Sequence, residues 1–216
     1  MKPLQRTLSL LSLATVLLTQ VPASFAQKPL MRPSTPVETY LAQTSVADVV
    51  KQGVTKGREG DYEGAIADFT RAIKLDPKNA DAYFYRGFAY RFLAEGRAAS
   101  ERTAAMDDLK QAIVNFDQTV KIDPSYIRAY FERGLSQDDL GKKQEAISDY
   151  TQTLALDAEF AEAYYNRGVI HDELGEKKEA LGDFVKARDL YQQQGKTDYY
   201  RDAVERIRQY EGSPQG

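Results

Sequence analysis

The sequence predicts an all-α fold, an α-solenoid of four helix-turn-helix repeats closed by a C-terminal capping helix, and three observations carry the prediction. One pattern occurs four times: Gly, then Ala twelve residues on, Phe or Tyr after four more, Ala or Thr after three, and Pro or Ala after five. It reads Gly53, Ala65, Phe69, Ala72, Pro77; then Gly134, Ala146, Tyr150, Thr153, Ala158; then Gly168, Ala180, Phe184, Ala187. Between the first two, Gly87 leads to Ala112, Phe116, Thr119 and Pro124, with thirteen residues inserted after the Gly. Second, the copies follow one another at roughly 34 residues, the length of a helical hairpin that buries its apolar face only against a neighbour. Third, the second half of each copy is amphipathic: Ala65, Ile66, Phe69, Ala72 and Ile73 fall on one helical stripe.

Residues 1–26 place Lys2 and Arg6 before an uncharged Leu-rich run, then Pro22, Ser24 and Ala26, the plan of a signal peptide cleaved after Ala26. An uncleaved anchor is the alternative, but the run is shorter than the ~20 residues a spanning helix needs. Residues 27–44 hold Pro29, Pro33 and Pro36 and read as a flexible linker. The repeat domain is expected over 45–211, with repeats at about 46–79, 80–126, 127–160 and 161–193. Gly-Asp at 60–61, Asp-Pro at 76–77 and 123–124, Gly-Lys at 141–142 and Gly-Glu at 175–176 mark the helix boundaries. The insertion, between Tyr90 and Ala112, is rich in Ala, Arg and Glu, so two helices lengthened by nearly two turns each and a projecting tip are expected, with Gly96 the weak point. A capping helix over 197–211 shows one apolar stripe, Tyr200, Ala203, Val204, Ile207 and Tyr210, and 212–216 form a tail.

Composition narrows the function. The 29 basic side chains less Lys2 and Arg6 leave 27 against 32 acids in the processed chain, a net of −5. Phosphate neutralisation needs a basic field, so no nucleic-acid partner is expected. There is no cysteine and one histidine, His171, which excludes disulfides and thiolate metal sites. No phosphate-binding glycine loop, nucleophile elbow, zinc pair or calcium loop is present. Adjacent acids such as Asp107 with Asp108 or Asp138 with Asp139 diverge by about 100° on a helix and do not converge on one atom. No enzyme, cofactor or metal is expected.

The pattern resembles the tetratricopeptide repeat (TPR) family, in which a large and a small residue of the first helix pack against Ala, an aromatic and Ala on the second, and Pro closes the repeat. The first-helix pairs here are Tyr83 with Gly87, Tyr130 with Gly134 and Tyr164 with Gly168, in the strings YFYRG, YFERG and YYNRG, and Val49 with Gly53 in repeat one. Thr119, Thr153, Ala158 and Val49 depart from the pattern. The stretch LYQQQGKTDYYRDAVERIRQ also looks like the carboxyl-terminal end of cyanobacterial members. The resemblance covers residues 46–193 and implies a right-handed solenoid that binds a protein or peptide on the concave wall of its first helices, with His171 in a packing position. The wall positions are Val50 and Val54; Phe84, Phe88, Arg91 and Phe92; Arg128, Phe131, Leu135 and Asp138; Tyr165, Val169 and Asp172. An apolar, aromatic groove suits a segment presenting apolar side chains, and Asp138, Asp139, Asp172 and Glu173 would favour basic flanks. Ordinary packing between repeats is the alternative reading of the same residues. Some members grip a chaperone tail through a clamp of Lys, Asn and Arg; the clamp positions here hold Val50, Val54, Tyr85, Arg128 and Glu132, and only Arg128 would serve, so that ligand is not expected. The resulting expectation is an exported adaptor or assembly factor, extracytoplasmic (periplasm first, thylakoid lumen or secretion otherwise), without stable membrane insertion after cleavage. A self-associating homo-oligomer, through Tyr191, Tyr199, Tyr200 and Tyr210, is the other reading.

Overall fold

The computed structural model describes residues 45–211; the expected signal peptide, linker and tail lie outside the described residues. Among the described residues nine α-helices run in order: α1 Val46–Arg58, α2 Tyr62–Leu75, α3 Ala80–Gly96, α4 Arg102–Ile122, α5 Ile127–Asp139, α6 Lys143–Leu156, α7 Ala161–Glu173, α8 Lys177–Gln193 and α9 Thr197–Glu211. Each odd helix packs on the even helix that follows, each even helix on the next odd one, and α9 packs on α8, which makes an all-α solenoid of four hairpins and a closing helix.

Local chemistry explains the boundaries. Gly60, Gly141 and Gly175 take φ of 84°, 76° and 78° between the paired helices, a left-handed conformation that only Gly adopts without strain. Asp61 caps α2, its Oδ1 accepting from the Gly64 N–H at 2.8 Å, and Asn79 caps α3, accepting from Ala82 at 2.9 Å. Asp76, Asp123 and Asp157 turn the chain after α2, α4 and α6 by accepting from the N–H two residues on, at 3.0, 2.9 and 2.9 Å. The aspartate makes the turn, so Ala158 stands where Pro is usual without changing it. Thr119 and Thr153 are buried yet satisfied, each Oγ1 donating to the carbonyl four residues back, at 3.0 and 2.9 Å.

The repeated Gly marks where two helices touch. A Cβ on Gly134 would stand 2.9 Å from Tyr150 Cε1, and one on Gly87 2.9 Å from Phe116 Cε1. Gly134→Ala is expected to lower stability by about 1–3 kcal/mol, read as a lower urea midpoint at unchanged slope.

The insertion divides unequally. Helix α3 has 17 residues against 13 in α1, α5 and α7, and α4 has 21 against 14 in α2 and α6, so one gains about one turn and the other about two. Gly96 ends α3 early, and the chain goes extended at Arg97 before a 3-10 turn, Ala99–Glu101. The tip is held by the Ala98 N–H donating to Glu101 Oε2 at 3.2 Å and by Arg97 Nε to Asp108 Oδ2 at 2.5 Å.

A polar spine runs through the repeats. Arg133 meets Asp149 on its own hairpin through Nε at 2.7 Å and Nη2 at 2.6 Å, and reaches Asp117 on the preceding hairpin at 2.6 Å. Arg167 repeats this with Asp183, at 2.8 Å through both nitrogens, and with Thr151 Oγ1 at 2.9 Å. Arg86 does so with Asn115 Oδ1 at 2.7 Å and Thr70 Oγ1 at 3.1 Å. Each guanidinium also lies over the Tyr three residues before it: Tyr83, Tyr130 or Tyr164, at 5.6, 5.4 and 5.7 Å. The Arg of the RG strings thus ties three helices together, a role the spacing alone did not assign to it. Burial lowers the Arg86 pKa, whereas Arg133 and Arg167 are held above their ordinary value because their carboxylate partners outweigh the cost of burial.

Candidate functional site

The wall of first helices is largely closed. Phe84 is 1% exposed, Phe131 2%, and Phe88, Leu135 and Tyr165 are buried as well. At Phe84 and Phe131 the cause is a ring on each side. Phe84, Phe131 and Tyr165 meet the aromatic of their own second helix, Phe116, Tyr150 and Phe184, at 5.9, 5.7 and 5.5 Å. Tyr126, just before α5, covers Phe84 at 4.9 Å, and Phe160, just before α7, covers Phe131 at 4.7 Å. The expected aromatic groove is therefore corrected to inter-repeat core at Phe84 and Phe131, and to buried interior at Phe88, Leu135 and Tyr165. Val169 packs into the last core cluster with Tyr164 and Tyr210.

The charges are also committed. Asp138 is held by Lys143 at 2.7 Å, and the same Nζ bonds Glu173. Asp172 accepts from the Tyr210 hydroxyl of α9 at 2.5 Å and faces Arg206 at 3.8 Å. These acids serve the fold, so the expected bias toward basic ligands is corrected too. His171 Nδ1 lies 2.5 Å from Glu176 Oε2, beside the α7–α8 turn.

Arg91 is 2% exposed and Glu132 1%; Arg91 Nε and Glu132 Oε2 form an ion pair at 2.9 Å between α3 and α5. Arg91 also bonds Glu95 and lies over Phe92 at 4.9 Å. Burial pushes the Glu132 carboxyl above its ordinary pKa, with Arg91 and then Arg128 opposing and Glu95 adding to the rise. Arg91 is thus an interior residue.

Seven predicted positions keep accessible surface; Asp138 is tied to Lys143, Val169 to the last core cluster and Asp172 to α9, which leaves Val50, Val54, Phe92 and Arg128. Val50 packs at the edge of the Val49, Ala72 and Ala82 cluster, and Phe92 stacks on Tyr62 at 5.7 Å. Sequence reasoning missed the covering rings Tyr126 and Phe160. The aromatic that precedes each of these helices was their available signal. Among the described residues, no cluster of three or more His, Cys, Asp or Glu is arranged to hold a metal, and no helix is long and apolar enough to cross a membrane.

A solenoid of helical hairpins with an accessible strip on its first helices belongs to the class that serves protein–protein interaction. A family model described as TPR repeat matches residues 58–91, and one described as tetratricopeptide repeat matches 131–195. These two segments are thus matched as tetratricopeptide repeats, and the repeat pattern of the chain is similar to that family. The chain is 41% identical over 51 residues to the uncharacterized protein MJ0572 of Methanocaldococcus jannaschii, a match spanning 24% of this chain and 59% of that protein. The crystal structure of MamA superposes with a TM-score of 0.55 at 23% identity, over 74% of this chain and 97% of that one. MamA residues 41 to the end from Desulfovibrio magneticus RS-1 give 0.60 at 21%, over 70% and 78%. The first TPR domain of Spaghetti (RPAP3), solved with the HSP90 peptide SRMEEVD, gives 0.53 at 25%, over 61% and 97%.

Proposed function

We propose that this protein is an exported, non-catalytic adaptor or assembly factor that holds a peptide segment or partner domain on its first-helix wall. The carrying observation is the uneven closure of that wall: sealed by paired rings at Phe84 and Phe131, and accessible at Val50, Val54, Phe92 and Arg128. An interaction solenoid needs a strip of solvent-facing apolar surface on a rigid frame, and this is the stretch that supplies it. The peptide-bound RPAP3 domain is a precedent for such use of the fold. Export rests on the signal-like pattern of residues 1–26, which favours the periplasm, with lumen or medium as the other destinations; a cyanobacterial source rests on the C-terminal stretch alone.

Affinity capture with the full chain from its native extract tests the proposal, with a Val54→Asp variant checked by circular dichroism run alongside. Partners retained by the wild type and lost by the folded variant are expected. Identical partner sets for both would contradict a role for the wall. Recovery of the protein alone, with concentration-dependent sedimentation, would favour the self-associating reading. That reading has less surface than expected, since Tyr191 is buried and Tyr210 is bound to Asp172, leaving Tyr199 as the exposed ring of the four.

A further inference from the structure

The insertion makes α4 the longest of the described helices. It packs inward on α3 and α5, both first helices, through Asp108, Leu109, Ala112, Asn115, Phe116 and Thr119, so its opposite face points away from the first-helix wall. On that outer face Val114 is 52% exposed and Met106 39%. The other exposed aliphatic residues, Leu75, Leu156 and Leu174, stand at or just past helix ends. Val114 stands in mid-helix, where a β-branched side chain costs helix propensity and here gains little packing within its own chain.

The charges around Val114 are ordered. Exposed Asp107, Lys110, Val114, Asp117 and Lys121 follow one another at spacings of three, four, three and four residues, which keeps them on one stripe. The stripe reads negative, positive, valine, negative, positive, and turned end for end it matches itself. With Val114 against Val114 of a second copy, Asp107 faces Lys121, seven residues to either side, and Lys110 faces Asp117, four before and three after. Arg102 then lies beside the C-terminal end of the other helix, where a cation is favoured. Existing contacts compete weakly: Lys110 bonds Asp107 at 2.8 Å with both more than half exposed, and Asp117 accepts from Arg133 at 2.6 Å while half exposed itself. Beside α4, the exposed mid-helix residues of α6 are the uncharged Ser148, Thr151 and Gln152, and those of α2 are Ala67 and Arg71, the latter bonded to Gln52 at 2.9 Å.

We propose that the outer face of α4 is a dimer interface, at which two copies of this chain meet through antiparallel α4 helices with Val114 at the twofold axis. Charge complementarity carries the inference and fixes the direction, because a parallel pair would set like charge against like. The contact is isologous, so it closes on two copies and propagates no filament. The first-helix wall stays outside it, and the inference does not depend on what the wall binds.

A chain without cysteine suits a crosslinking test. Full-chain variants Val114→Cys and Asp198→Cys, checked by circular dichroism, would be treated with a short bismaleimide; Asp198 is 88% exposed on α9 and serves as the control. Covalent dimer is expected at least about tenfold faster at position 114. Equal or faster crosslinking at 198 would overturn the inference and move any self-association to the terminal helix. Sedimentation of the unsubstituted chain is expected to show a concentration-dependent dimer. Lys121→Glu should weaken it about tenfold, and Asp107→Lys added to the same chain should recover most of that loss, because the two positions meet across the axis. A monomer at every concentration, or a loss that the charge swap leaves unrepaired, would overturn the inference while leaving the wall reading in place.

Discussion

Replacing Phe131 with Ala is expected to lower the free energy of unfolding by about 3–5 kcal/mol. The ring is 2% exposed and lies between Tyr150 at 5.7 Å and Phe160 at 4.7 Å, so its loss opens a cavity shared by two hairpins. In a solenoid each hairpin is stabilised by its neighbours, so the damage reaches both of them. Urea denaturation followed by circular dichroism measures the effect. A loss under about 1 kcal/mol would mean that the ring is not core, and the closed wall would have to be abandoned. Loss of binding in a Phe131 variant would equally reflect damage to the scaffold, which is why the functional test uses Val54.

Replacing Arg133 with Met is expected to cost about 3 kcal/mol at neutral pH, because it strands buried Asp149. Burial already holds the Asp149 carboxyl above its ordinary pKa; Arg133 is the main group that restrains the rise, with a smaller contribution from Gln137. Without Arg133 the folded-state pKa climbs further above the unfolded value, so the folded chain binds that proton more tightly than the unfolded chain. The deficit is then largest above the folded pKa and shrinks as pH falls through it. Thermal melts of the variant between neutral and mildly acidic pH should show Tm approaching that of the wild type on acidification. The double variant Arg133→Met, Asp149→Leu should recover most of the loss. Arg86→Met should cost less, since its partner Asn115 is neutral and leaves no stranded charge.

The fold was legible because its information is local and periodic. Gly, Ala, an aromatic and Ala recur at the points where paired helices touch, and steric fit allows few alternatives at Gly87 and Gly134. The insertion was located but shared wrongly between its helices, because Gly96 stops α3. The candidate site was less legible. Whether Phe84 faces a groove or a neighbour depends on what stands at Tyr126, a residue of the following repeat, and periodicity within one repeat does not carry that information. The charges misled for a similar reason: Asp172 reads as a solvated acid until α9 folds back and brings Tyr210 and Arg206 to it. The spine arginines sit in a visible string, but their partners lie on two other helices.

The absence of cysteine from the chain offers the most direct test of which wall positions face solvent. Single variants Val54→Cys and Leu135→Cys, in the otherwise cysteine-free protein, would be exposed to an aromatic disulfide reagent and the rate of thiol release followed under native conditions. The account predicts rapid reaction at position 54 and reaction at least roughly 100-fold slower at 135, where labelling waits on local opening. Equal rates at the two positions would show an open groove across the central repeats and would contradict the account.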